Sequence, residues 1–88
     1  MHVLFSKQFE KDILKIKDLA LIDKIDTTIQ SVKNASSFSE IRNFKKLSGY
    51  KNKYRIRIGD YRIGIFVDNN VIEFSRFLHR KEIYRYFP

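Results

Sequence analysis

Residues 53–67, KYRIRIGDYRIGIFV, decide how this chain is read. Tyr54, Ile56 and Ile58 alternate with Lys53, Arg55 and Arg57, and Tyr61, Ile63, Ile65 and Val67 resume the alternation after Gly59-Asp60. Period two is the mark of a half-buried strand, and a two-residue connection with glycine first is that of a type II′ hairpin. Loop length sets register, so Ile58 faces Tyr61, Ile56 faces Ile63 and Tyr54 faces Ile65, on a face that something must cover. On the opposite face Arg57 falls across from Arg62 and Arg55 across from Gly64. Like charges directly opposed weaken a strand pair, and the arrangement makes physical sense if an anion sits over it. Gly64 inside a strand marks either a bend or a close backbone approach, and beside Arg55 it leaves an open floor on the basic face.

The hairpin's apolar face requires a cover, and the N-terminal half supplies one. Met1 to Phe5 reads as a first strand, and Ser6 stands where a helix N-cap would. Phe9, Ile13, Ile16 and Ala20 then form one helical stripe, and Ile22, Ile25, Ile29 and Val32 a second, with a break around Lys17 to Leu21. Asn34-Ala35-Ser36-Ser37 is a loop rich in residues that compete with helix. Beyond the hairpin, Asp68-Asn69-Asn70 is another turn and residues 71–78 a third strand. A two-residue connection there places Glu73, Ser75, Phe77 and His79 on the basic face. Arg80 to Phe87 closes the chain as a short helix or tail. The fold class is α+β over a single domain, residues 1–88: an N-terminal strand and a two-helix hairpin packed on an antiparallel β-sheet.

Composition narrows the function. With 88 residues and no cysteine, the chain holds one modest core, no disulfide scaffold and no thiolate metal site. No apolar run is long enough to span a bilayer, and a cytoplasmic location is expected. The formal charge of +8 is segregated. Residues 1–40 balance six lysines against six acids, whereas residues 41–88 set twelve Lys and Arg against four acids. Solubility needs no such segregation; a nucleic acid, an anionic membrane surface or an acidic protein would each match it.

The chemistry open to these residues is narrow. Two histidines and no spaced acid cluster give no metal-ligand pattern, and glycines at 49, 59 and 64 form no phosphate-cradling loop. Metal-free cleavage of RNA needs only a proton acceptor for the 2′-hydroxyl, a donor for the leaving 5′-oxygen and cations over the phosphorane. Arg57 and Arg62 suit the last role, since a guanidinium binds phosphate through two donors and stays charged. His79 and Tyr84 are the candidates for proton transfer. Phe66 and Phe77 among the cations would serve base stacking, or equally a small patch covered by a protein partner.

Several fragments together resemble the RelE/ParE superfamily of bacterial toxins. They are Phe5-Ser6-Lys7-Gln8-Phe9-Glu10-Lys11-Asp12, Leu47-Ser48-Gly49, Tyr54-Arg55-Ile56-Arg57-Ile58, Asp60-Tyr61-Arg62-Ile63 and His79-Arg80-Lys81-Glu82-Ile83-Tyr84-Arg85. The resemblance implies a type II toxin with a cognate antitoxin and, for its RelE-like branch, a ribosome-dependent endoribonuclease acting on mRNA without a cofactor or metal. It implies catalytic roles for Arg57, Arg62, Arg80 and Tyr84, with His79 matching a histidine used by other branches. Lys46, Lys53, Arg55, Phe77 and Lys81 are then the expected RNA contacts, with no membrane and no small-molecule partner. The ParE-like branch implies DNA gyrase inhibition instead, and a non-catalytic RNA- or partner-binding relative is the third reading.

Overall fold

The computed structural model describes all 88 residues. In chain order these form β1 (His2–Phe5), α1 (Lys7–Leu14), α2 (Leu19–Asn34), β2 (Phe44–Lys46), β3 (Lys53–Ile58), β4 (Tyr61–Asp68), β5 (Val71–His79) and α3 (Ile83–Tyr86), with a 3₁₀ turn at Phe38–Glu40. The sheet has five strands in the order β1-β5-β4-β3-β2. It is mixed rather than purely antiparallel, because β1 runs parallel to β5; the chain crosses from β1 through both helices to β2 on the opposite edge and returns to β5 through β3 and β4. β2 is an addition to the strands read from sequence. Its three residues, Phe-Lys-Lys, are too few to show a period. No helix is long and apolar enough to cross a membrane.

Ser6 caps α1 as expected, its Oγ accepting the Phe9 amide at 3.0 Å. Asp18 caps α2 through the Ala20 and Leu21 amides, so the helix break falls at residues 15–18, slightly earlier than the apolar stripes indicate. That shift brings Leu21, not Ile22, to the core beside Ile25, Ile29 and Val32, and leaves Ala20 exposed. The β3–β4 register matches the hairpin reading throughout, from Ile58 opposite Tyr61 to Tyr54 opposite Ile65. Gly59 stands at φ 55, and Asn69 and Asn70 at φ 47 and 67, as the primed turns of tight hairpins require.

β5 departs from expectation. Ile65 pairs with Phe74 but Gly64 pairs with Arg76, so Ser75 is an extra residue, a β-bulge. Ser6 Oγ donates to the Ser75 carbonyl at 2.8 Å, tying the bulge to the start of α1. Beyond it every side chain changes face. Phe77 is not on the basic face; it lies in the core opposite Ile63, 2% exposed, with its ring stacked on Tyr61 at 5.1 Å. His79 follows to the same side, opposite Tyr61. Without the bulge Arg76 would oppose Ile63 inside the core, so the extra residue spares a buried charge.

β1 covers β5 only as far as Phe74, and α1 covers the remainder of that edge. Asp12 does the work of the missing strand: Oδ2 accepts the Phe77 amide at 2.9 Å and Arg76 Nε at 2.8 Å, while Oδ1 accepts Gln8 Nε2 at 3.2 Å and Arg76 Nη2 at 3.3 Å. Burial raises the carboxyl's proton affinity. The Arg76 hydrogen bonds, the Phe77 amide, the Gln8 amide and the Arg76 charge together outweigh it, and the pKa ends below the ordinary aspartate value. Asp12→Ala is expected to cost about 3 kcal/mol in urea denaturation, because it strands a part-buried guanidinium and a buried amide. A depressed folded pKa confers stability that is full above the ordinary aspartate range and is lost as pH falls through the depressed value. Asp12→Asn should therefore shrink the acid-side loss of melting temperature seen in the native chain.

Candidate functional site

The helices cover one face of the sheet, and the other is only partly covered. There α3 and the residue after it fold back over the strands, forming a second small core of Leu47, Ile83 and Phe87 with Leu78 at its margin. Beside this core a pocket of about 380 Å³ opens, lined by Arg55, Arg62, Arg80, Lys81 and Tyr84. No acid lines it. A larger cleft of about 530 Å³ lies between α2, the segment leading into β2 and the end of β3. Its wall mixes Asp23 and Glu40 with Lys24, Arg42 and Arg57, so it lacks the single sign that selects an anion.

The hairpin turn positions the arginines. Arg62 Nη1 donates to the Gly59 and Tyr61 carbonyls, both at 2.9 Å, which folds its guanidinium back over the turn. The Arg80 amide donates to the Asp60 carbonyl at 2.7 Å, so the same turn fixes the start of the C-terminal segment. The side-chain approach of Arg80 to Asp60, 3.8 Å between two exposed groups, adds little. Arg55 Nη1 donates to the Asn43 carbonyl at 3.0 Å. Burial, then the charges of Arg55, Arg57 and Arg80, lower the proton affinity of Arg62, and Tyr84 alone opposes them. The guanidinium stays protonated, but it sits where positive charge is unfavourable and an anion would be welcome.

Of the residues singled out from sequence, the structure brings Arg55, Arg62, Arg80, Lys81 and Tyr84 together. Arg57 is the cross-strand neighbour of Arg62 and is exposed, but it does not line the pocket. Lys53 shares the face, its ammonium 4.3 Å from the Phe66 ring centroid. Three placements differ from expectation. Phe77 is buried and offers no ring to a ligand on this face. His79 stands on the helix side of the sheet, its Nδ1 accepting the Lys81 amide at 3.1 Å, and it does not reach the pocket wall. Lys46 pairs with Tyr54 and so belongs to the helix side; Lys45, which pairs with Arg55, is the lysine that sequence reading missed. The open floor at Gly64 is also absent, because Phe87 fills it.

This chain and its fold have known counterparts. Residues 3–84 match the family described as the ParE toxin of type II toxin–antitoxin system, parDE. The chain is 45% identical over 89 residues to Toxin RelE3 of Methanocaldococcus jannaschii, across the full length of both. Its fold superposes on a chain of the RelB–RelE antitoxin–toxin complex from Methanococcus jannaschii with a TM-score of 0.79 and 43% identity, covering 97% of this chain and 99% of that one. A RelE–RelB complex from Pyrococcus horikoshii gives 0.71 at 24% identity, over 90% and 93% of the two chains, a likeness of fold alone. The chain belongs to the RelE/ParE family of type II toxin–antitoxin toxins, and within it to the RelE type.

The crowding at Arg62 has a measurable consequence. Sulfate at matched ionic strength should raise the melting temperature by several degrees more than chloride does, since an anion that binds only the folded state adds its binding free energy to stability. Arg62→Ala should remove most of that difference in a thermal-shift titration.

Proposed function

We propose that this protein is the toxin of a type II pair and acts as an endoribonuclease on mRNA engaged with the ribosome. The observation that carries the reading is the convergence of Arg55, Arg62, Arg80 and Lys81 with Tyr84 in one acid-free pocket. Four cations, with Arg55 and Arg62 held by backbone carbonyls, answer the charge that grows on a phosphorane as the 2′-oxygen attacks. The P–O5′ bond breaks as the 2′-O–P bond forms. The 2′-hydroxyl loses a proton and the departing 5′-oxygen gains one, leaving a cyclic phosphate and a free 5′-hydroxyl. Arginine holds its protons throughout, so Tyr84 and Lys81 are the pocket groups able to exchange one. Tyr84 is 60% exposed, with a face free to stack on a base. Arg57, beside Arg62 and outside the pocket, suits the phosphate of a neighbouring nucleotide.

The partner in this reading is a cognate antitoxin of RelB type, the kind of protein with which the M. jannaschii and P. horikoshii chains assemble. An acidic antitoxin segment over the basic face would relieve the repulsion that RNA otherwise relieves.

In a translating extract, primer extension should reveal new message ends that depend on both the protein and the ribosomes. Arg62→Ala should lower the cleavage rate by about 100-fold, the typical loss of one charge-stabilising donor, with the fold retained. Unchanged message ends together with lost gyrase supercoiling would replace the nuclease reading with the ParE-like one.

A further inference from the structure

α3 is a single helical turn, Ile83–Tyr86, and a turn that short does not hold itself in water. Its position is set by what its side chains meet. Ile83 is fully buried against the second core. Phe87, 5% exposed, lays its ring directly on Gly64: a Cβ there would stand 2.6 Å from Cγ, 2.7 Å from Cδ2 and 2.9 Å from Cδ1. Tyr86 lies beneath the Arg76 guanidinium, 5.6 Å from its ring centroid, and Arg76 is itself held by Asp12.

A glycine in the middle of a strand weakens it, and here the backbone does not require one, since the positive-φ glycines are Gly49 and Gly59. What position 64 requires is space. We infer that Gly64 is a positioning residue: its missing side chain is the seat of Phe87, and through that seat the C-terminal turn holds Tyr84 at the wall of the pocket it shares with Arg62. The catalytic side of this inference rests on the nuclease reading, whereas the placement of Tyr84 does not. The added methyl of Gly64→Ala meets the root of the Phe87 ring at Cγ, which turning the ring about its own axis does not move; clearing it takes a change of χ1 that pulls the ring out of the second core, or a shift of the backbone that carries it. The ring is therefore lifted, and Tyr84 leaves the arginines while Arg55 and Arg62 stay on their strands.

The test uses the full chain labelled with 3-fluorotyrosine, with the Tyr84 resonance assigned by Tyr84→Phe, titrated with inorganic phosphate. In the native chain phosphate should shift the Tyr84 signal. In folded Gly64→Ala that signal should move to the position of free tyrosine and stop responding, while phosphate still binds. On translating ribosomes kcat should fall about 100-fold, the scale expected for a misplaced reacting group, with KM nearly unchanged. Phe87→Ala should reproduce both effects, which covers the case in which Gly64→Ala fails to fold. Adding Gly64→Ala to Phe87→Ala should change nothing further, because the two act through one contact. A native Tyr84 signal and response in Gly64→Ala, or in Phe87→Ala, overturns the inference, as do effects that simply add. Displacement of Tyr84 in a protein that cuts no message upholds the positioning and removes the nuclease reading alone.

Discussion

The bulge at Ser75 is the constraint on which the rest of the molecule depends. One residue without a cross-strand partner lets β5 serve two faces in turn. Before it, Ile72 and Phe74 point under the helices; after it, Phe77 takes over that role and Arg76 and Leu78 turn outward. A strand without the bulge would bury an arginine opposite Ile63 and strand a phenylalanine on the surface. The helix-side core and the small core opposite are both continuous because of this single irregularity. Ser6 and Asp12, at the two ends of the first turns of α1, are what hold it.

The two faces carry opposite energetic signs. The helix side gathers twelve buried apolar residues, with each polar group that enters it satisfied. The other side opposes Arg57 to Arg62 and brings Arg55 and Arg80 close to them, an arrangement that costs stability at each step. Such a cost, a fraction of a kcal/mol for each exposed pair, is small beside what the first core contributes. A sheet secured on one face can thus keep unfavourable charge on the other, ready for an anion.

The sequence made some of this legible and hid the rest for definite reasons. The β3–β4 register was readable because Gly59-Asp60 leaves no slack, and Arg57 opposite Arg62 followed from it. The placement of Phe77 and His79 was not, because a bulge leaves no signature in period-two counting except a shift of phase. That shift is visible in the apolar spacing, two residues from Ile72 to Phe74 and three from there to Phe77. Asp12 lies three residues after Phe9, on the stripe that faces inward, but a carboxylate there reads as surface until Arg76 is seen beside it. Lys45 and Lys46 are adjacent, and only the pairing of β2 tells which shares a face with Arg55. In the sequence Gly64 offers space on the basic face. The space is real, but it is occupied from within, by an aromatic ring more than twenty residues later in the chain.

The two-residue connection between β3 and β4 has a consequence for how such a chain can diverge. Substitutions along the basic face change its charge one residue at a time and leave the geometry standing. An insertion or deletion of one residue in Gly59-Asp60 breaks the register, and the strands must then absorb it with a second bulge or turn one arginine of the pair under the helices. Over evolutionary time the length of this loop should therefore be held more tightly than the identity of any residue in it, and variation in length should collect instead in the longer connection between β2 and β3, residues 48–52, where the loop itself can take up an extra residue and leave the β2–β3 pairing in register.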